Sequence, residues 1–301
     1  TREEDFVERL FITSTHNHIL FFTSKGKMYR LKAYEIPEVG RQAKGTAIVN
    51  LLQLDSDEKV TAAIPVKEFE GGKYLFFGTK HGIVKKTDLL AYDTSRKGGL
   101  AAIVLDEDDE LIQVKLTDGT NDIFLSTYHG MCIRFNEEDV RPMGRVSRGV
   151  RGIRLAEGDY VVGMSMAQEN GDLLVVTENG YGKKTPLDEY KTQTRGGKGV
   201  NTYRLSSSTG NIAGIKVVTE ADDVMLITSD GMVIRMRTRE ISRIGRLTKG
   251  VRLMRLDDGI TVVSMARTEE EEETDDEAME NEMMGTEPEE SEFSEETDSE
   301  E

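Results

Sequence analysis

Leu173-Leu174-Val175-Val176-Thr177-Glu178-Asn179-Gly180-Tyr181-Gly182-Lys183-Lys184 is an apolar run, a turn closed by glycine, and a second run with a basic residue four positions after that glycine. The apolar run is short and bounded by turn residues, and Gly180 supplies the backbone freedom of a tight reversal, so the stretch reads as a β-hairpin. The same grammar occurs five times. The other copies lead from Ile19 to Gly26, Tyr74 to Gly82, Ile123 to Gly130 and Val224 to Gly231. Across the five the basic residues are Arg30, Lys86, Arg134, Lys184 and Arg235, and the turn glycines stand 56, 48, 50 and 51 residues apart. A second glycine follows each first one at Gly45, Gly99, Gly149, Gly199 and Gly250, after 19, 17, 19, 19 and 19 residues.

Each period of about 50 residues holds four strand-like runs, which in the first repeat are Ile19–Thr23, Lys27–Lys32, Ala47–Leu54 and Val60–Val66. Few windows suit a helix, and Phe6–Leu10 and Leu89–Tyr92 allow a turn or two at most. Four strands at this period predict an all-β, propeller-like array of four-stranded blades, in which radial repetition limits exposed strand edges. The repeats fall near residues 16–66, 71–117, 120–167, 170–218 and 221–267. Asp5–Ile12 lines up with Asp159–Met164, which closes the third repeat. Residues 1–15 therefore read as the last strand of a preceding, incomplete blade, the chain as a fragment, and the expected blade number is six.

The 301-residue chain carries a net charge of -17, unevenly distributed. Residues 268–301 contain 19 Asp and Glu and no Lys or Arg, which leaves 37 acidic against 39 basic residues before them, a net +2. The expected organisation is thus a slightly basic domain over 1–267 followed by a disordered acidic tail over 268–301. No apolar run approaches the roughly 18 residues of a spanning helix, so no membrane role is expected. Cys132 is the only cysteine, which excludes a disulfide framework and favours a reducing, cytoplasmic location.

The chemistry lies before each second glycine. Gly40-Arg41-Gln42-Ala43-Lys44-Gly45, Gly144-Arg145-Val146-Ser147-Arg148-Gly149, Thr194-Arg195-Gly196-Gly197-Lys198-Gly199 and Gly245-Arg246-Leu247-Thr248-Lys249-Gly250 each hold two cations three apart, framed by glycines. The odd member is Thr94-Ser95-Arg96-Lys97-Gly98-Gly99. Glycines let backbone N–H groups approach an anion, Arg offers a fork of donors and Lys a mobile charge, so the set suits phosphate. One such turn is an ordinary solvated connection; a structural turn has no reason to keep two cations at fixed offsets in four of five repeats. No base-reading apparatus is visible, which predicts backbone binding to double-stranded DNA, independent of sequence and dependent on salt. A ring of such turns is engaged together only by a polymer that bends around it.

Other signals carry less. His16 and His18 share a strand face, but His81, His129 and Cys132 lie in separate repeats at turn positions, and Glu107-Asp108-Asp109-Glu110 resembles the other acidic hairpin loops. There is no Walker-type phosphate loop and no convergent His, Asp or Ser set, so neither a cofactor nor a catalytic residue is expected in this stretch. The competing reading from the residues is a propeller scaffold whose basic turns meet acidic protein partners. The tail, tethered beside basic turns, would compete with DNA phosphates if it reaches them.

Thr1–Thr15, Tyr34-Glu35-Ile36-Pro37-Glu38, Gly40–Gly45, Ile48-Val49-Asn50-Leu51-Leu52, Val150-Arg151-Gly152-Ile153-Arg154-Leu155 and Glu178–Thr185 closely resemble the family of DNA gyrase A carboxy-terminal domains over residues 1–267. The resemblance implies a six-bladed β-pinwheel in which neighbouring blades exchange strands and whose basic perimeter wraps DNA. It further implies a homodimer of gyrase A chains joined by gyrase B chains in an ATP-dependent type II topoisomerase that introduces negative supercoils. The related domain of topoisomerase IV is the nearest competitor. The family's Gln-Arg-Arg-Gly-Gly-Lys-Gly box is best matched by Gln193-Thr194-Arg195-Gly196-Gly197-Lys198-Gly199, with Thr for one Arg and in the fourth repeat. That match carries the phosphate-contact role onto Gln193, Arg195, Gly196, Gly197, Lys198 and Gly199.

Overall fold

Each apolar run pairs across its glycine turn with the run that follows, giving five antiparallel hairpins: His18–Thr23 with Lys27–Lys32, Tyr74–Thr79 with Ile83–Asp88, Asp122–Thr127 with Met131–Asn136, Asp172–Thr177 with Tyr181–Pro186, and Asp222–Thr228 with Val233–Arg237. The structure, a computed structural model, describes residues 13–40, 45–96 and 98–269. The chain divides into a unit over Thr1–Thr268 and a second over Glu269–Glu301, and the architecture is that of the first. The Asp5–Ile12 and Phe6–Leu10 readings, Arg41, Lys44, Lys97 and the tail beyond Glu269 lie outside the described residues.

The turns share a device that the sequence also carries. A buried threonine stands three residues before every turn glycine, at Thr23, Thr79, Thr127, Thr177 and Thr228. Its carbonyl accepts the glycine N–H in all five hairpins. In the first four its Oγ1 also accepts the N–H of the residue after the glycine at 3.1–3.3 Å. The glycines take φ between 72° and 87°, the left-handed region in which a side chain is strained.

A third strand lies along the other side of each first strand: Val60–Val66, Leu111–Thr117, Val161–Met166, Ile212–Val218 and Val262–Glu269. The fourth strand is only two residues long and comes from the next repeat. Leu100–Ala101 joins the first sheet, Val150–Arg151 the second, Val200–Asn201 the third and Val251–Arg252 the fourth. The last sheet has three strands among the described residues. Strand exchange between neighbouring blades is thus present in the fold.

Two expectations are corrected. The described residues form five blades and not six; the sixth rests on a segment of about a dozen residues, too short to supply four strands. Ala47–Leu54 is no strand either, because in every later repeat this segment pairs with the hairpin of the preceding blade. Here it turns instead into the 3-10 helix Ile48–Asn50, where Asn50 N–H bonds Ala47 O and Leu51 N–H bonds Ile48 O. Leu89–Tyr92 is a single 3-10 turn, as its sequence predicts.

The core lies between blades. Leu75 and Phe77 face the first blade, packing with Leu20, Phe22 and Tyr92, whereas Phe76 faces the third with Ile123 and Leu125. Phe124 then packs on Leu173 and Val175, and Leu174 and Val176 on Val224 and Leu226. Burial on both faces explains why these strands are continuous apolar runs instead of alternating ones. In the first three repeats the basic residue four after the turn glycine ties one blade to the next repeat, at its 3-10 turn or just past it. Arg30 Nη1 donates to Thr94 O at 2.7 Å, Lys86 Nζ to Glu137 O at 2.8 Å, and Arg134 Nη1 to Leu187 O at 2.8 Å.

Candidate nucleic-acid interface

The strand exchange carries each basic turn across to the preceding blade, where it is laced to its neighbour. Arg145 Nη1 donates to Ala101 O at 2.6 Å and Arg195 Nη1 to Arg151 O at 3.1 Å, and Arg246 Nη1 donates to Asn201 O. In return Val104, Arg154 and Arg204 donate their N–H groups to Ser147 O, Gly197 O and Thr248 O at 3.0, 2.8 and 3.1 Å. The three turns 144–149, 194–199 and 245–250 and the segments after the preceding second glycines therefore form one hydrogen-bonded belt that runs from blade to blade.

This geometry divides the two cations of each turn. Arg145, Arg195 and Arg246 are half-buried and spend donors on the neighbouring backbone. Arg195 Nε also holds Asp139 O at 3.0 Å, and the Arg246 N–H bonds Glu189 Oε2 at 2.7 Å. Arg148, Lys198 and Lys249 are exposed. Lys198 has no side-chain partner among the described residues, Lys249 lies 5.7 Å from the Tyr181 ring centroid, and Arg148 is held in a fork by Asp106, Nε to Oδ1 at 2.5 Å. The repeat pattern assigns both cations one role; only the second points to solvent.

The remaining residues of the expected site fall as follows. Gly196 is left-handed at φ 80° and its N–H bonds Gly152 O at 2.6 Å. Gly199 sits with φ 76° against the Cys132 carbonyl, where a Cβ would collide. The Gln193 N–H bonds Arg134 O at 2.8 Å, and Gly197 lies beside Ile133. Arg96 is exposed in the odd turn, its N–H on Thr94 Oγ1 at 3.2 Å.

The structure adds cations that the repeat pattern does not single out. Arg154, Arg204 and Arg255 stand five residues after a second glycine, are exposed, and have no side-chain partner among the described residues. Arg151 and Arg252, two residues after a second glycine, are exposed as well, with Arg252 Nη2 on the Tyr181 hydroxyl at 2.9 Å. Their signal is an arginine at a fixed offset in three of five repeats, hidden because it follows the turn instead of lying in it. His16, His81 and His129 are turn residues and His18 opens the first strand: His81 and His129 have their N–H groups on Asp109 and Asp159, His16 packs on Tyr34, and His18 receives Arg30 Nε at 3.0 Å. Burial and then Arg30 hold the His18 imidazole below its ordinary pKa. Among the described residues no group of three or more His, Cys, Asp or Glu could hold a metal ion. Among them, too, no helix is long and apolar enough to cross a membrane.

The fold and its laced turns define a strand-exchanging β-propeller with a belt of basic turns. The model of the DNA gyrase C-terminal domain, a β-propeller, matches residues 17–67, 73–118, 121–168, 171–219 and 222–269, and the chain belongs to that family. The DNA gyrase A protein of Staphylococcus epidermidis is 48% identical over 276 residues, which cover 91% of this chain and 31% of the relative, so the chain spans about a third of that protein. A crystal structure of the C-terminal domain of DNA topoisomerase IV superposes with a TM-score of 0.80 at 32% identity, covering 90% of this chain and 85% of the other. A structure of the DNA gyrase A C-terminal domain gives 0.73 at 25% identity, covering 85% and 83%.

Proposed function

We propose that this domain binds duplex DNA through the sugar-phosphate backbone and wraps it along the belt, with no catalytic step of its own. The observation that carries the reading is the laced series of turns, from which Arg148, Lys198, Lys249, Arg151, Arg154, Arg204 and Arg255 project to solvent at blade spacing. Smooth bending of 20–30 base pairs costs on the order of 1–6 kcal/mol, more than one turn offsets and within reach of several turns acting together. Because the belt is hydrogen-bonded from blade to blade, the backbone that carries the cations is pre-ordered along the path of the duplex, and binding loses little loop entropy. Arg145, Arg195 and Arg246 hold the belt in shape; Arg41, Lys44, Arg96 and Lys97 are assigned phosphate contact from their place in the sequence repeat alone. Gln193, Gly196, Gly197 and Gly199 shape the turn that presents Lys198.

In the whole protein this activity would serve ATP-dependent negative supercoiling in the bacterial cytoplasm, by a dimer of gyrase A chains with gyrase B. The 48% identity to a gyrase A protein supports gyrase over topoisomerase IV as the parent enzyme. The test is ligation of nicked circular DNA in the presence of the chain, followed by linking-number analysis. A shift of linking number that grows with protein supports wrapping. Binding that does not depend on duplex length, with no shift, would overturn it in favour of a scaffold for acidic proteins.

A further inference from the structure

Two of the laced turns rest on a buried lysine, and the third does not. Lys183, three residues after its turn glycine and fully buried, aims its Nζ into the turn 245–250 of the next repeat. Nζ donates to Gly245 O at 2.9 Å, Arg246 O at 2.5 Å, and Thr248 O and Oγ1 at 3.2 and 3.1 Å. Lys85 occupies the same position one blade pair earlier, is fully buried too, and donates to Ala102 O at 2.6 Å and to Arg145 O. In both turns a hydroxyl closes the loop, Ser147 Oγ and Thr248 Oγ1 each donating to the carbonyl of the leading glycine at 2.7 Å. Between these two, the residue in the lysine position is Ile133, fully buried beside Gly197. It offers no donor, and the turn it faces is the one with Gly196-Gly197 in its middle and Gly196 at φ 80°. Val146, Ser147, Leu247 and Thr248, in the braced turns, have no positive φ.

The two solutions answer one physical problem. A six-residue loop that keeps its second cation outward turns several carbonyls inward, and converging carbonyl dipoles are unfavourable unless donors meet them. A buried lysine brings its Nζ donors to them, three when protonated and two when neutral. A left-handed glycine instead rotates a peptide plane and removes the convergence. We infer that Lys85 and Lys183 are positioning residues that shape the basic turns 144–149 and 245–250 for phosphate contact, in place of the Gly-Gly pair of turn 194–199. The inference rests on the proposed role of the turns as phosphate contacts.

The experiment transplants one solution onto the other in the full chain. Lys183→Ile copies the Ile133 position, and Lys183→Ile with Leu247→Gly and Thr248→Gly copies the whole arrangement around 195–199. Binding to a duplex of about 150 base pairs is followed from 50 to 200 mM salt, with Lys249→Ala as reference and thermal melting as a check on folding. One lost phosphate contact lowers the slope of log K against log salt by about 0.9, which is about eightfold in affinity at 0.1 M salt. K183I is expected to lose that much, to be no worse in combination with K249A than K249A alone, and to recover within about twofold in the triple variant. A folded K183I that binds like the wild type, or a triple variant that does not recover, overturns the inference. If K183I does not fold, the triple variant carries the test: it must fold and bind as the wild type, and failure of either overturns the inference. A K249A chain with undiminished binding would instead sink the phosphate-contact reading of the turn.

Discussion

Arg154, Arg204 and Arg255 give the sharpest test of the belt, because they are exposed, carry no side-chain partner among the described residues, and lie outside the turns that the repeats draw attention to. Replacing all three by Ala removes three phosphate contacts in the proposed complex. At about 0.9 per contact the slope of log K against log salt should fall by about 2.7, which at 0.1 M salt is about 500-fold in affinity. The folded state should hardly notice: surface substitutions without partners stay within about 0.5 kcal/mol, and the backbone N–H groups of Arg154 and Arg204 that lace the turns are unaffected. The assay is fluorescence anisotropy of a labelled duplex between 50 and 200 mM salt, with circular dichroism melting alongside. A slope unchanged to within about 0.5, in a protein that melts like the wild type, would refute the assignment of these arginines to the DNA path. A matching loss in melting temperature would refute the claim that they are free of structural duty.

Further outcomes follow from individual contacts. Asp106→Asn releases the Arg148 fork and should raise DNA affinity by no more than about fivefold, since the pair is exposed and screened by solvent; titration of wild type and D106N at one salt concentration checks it. Burial pushes the Lys85 and Lys183 amines down to about 7 and about 8, with Arg145 adding to the first effect, and Glu189 opposing and Arg246 adding to the second. Between those values and about 10.5 the unfolded chain holds protons that the native one has released, so stability rises with pH. The gain is at most about 1.4 kcal/mol per pH unit for each lysine, measured by urea unfolding at pH 7 and 9.5, and K85M should lose its share. Glu137 is fully buried and accepts from Thr117 Oγ1, the Gly119 and Asn121 N–H groups and Asn121 Nδ2 at 2.7–3.1 Å. Glu137→Ala leaves these donors without an acceptor and should cost about 3 kcal/mol, visible as a melting temperature lower by roughly 6–12 °C.

The hairpins are legible in the sequence because their cause is local. A run such as Leu173–Val176 with glycine four residues further on leaves the chain few alternatives, and the threonine before each turn is there to be read although the repeat grammar does not use it. Ala47–Leu54 misleads for the complementary reason. Its residues resemble those of Val150–Arg151 and Val251–Arg252, but a two-residue strand exists only where a hairpin from the preceding repeat offers an edge to pair with. Charge and glycine spacing reveal the basic turns, while the different duties of Arg195 and Lys198 stay hidden. The carbonyl that engages Arg195 belongs to Arg151, 44 residues away in the chain.

The sequence by itself determined the period of about 50 residues, the hairpins and the presence of cations before each second glycine. Each of these follows from residue type and spacing within one repeat. The number of blades, the exchange of the fourth strand, the split between bracing and exposed cations, and the buried lysines under two of the turns were decided by the tertiary structure. They depend on how one repeat is registered against the next, and that register places side chains of one blade against backbone carbonyls of another, a relation no spacing within a single repeat encodes.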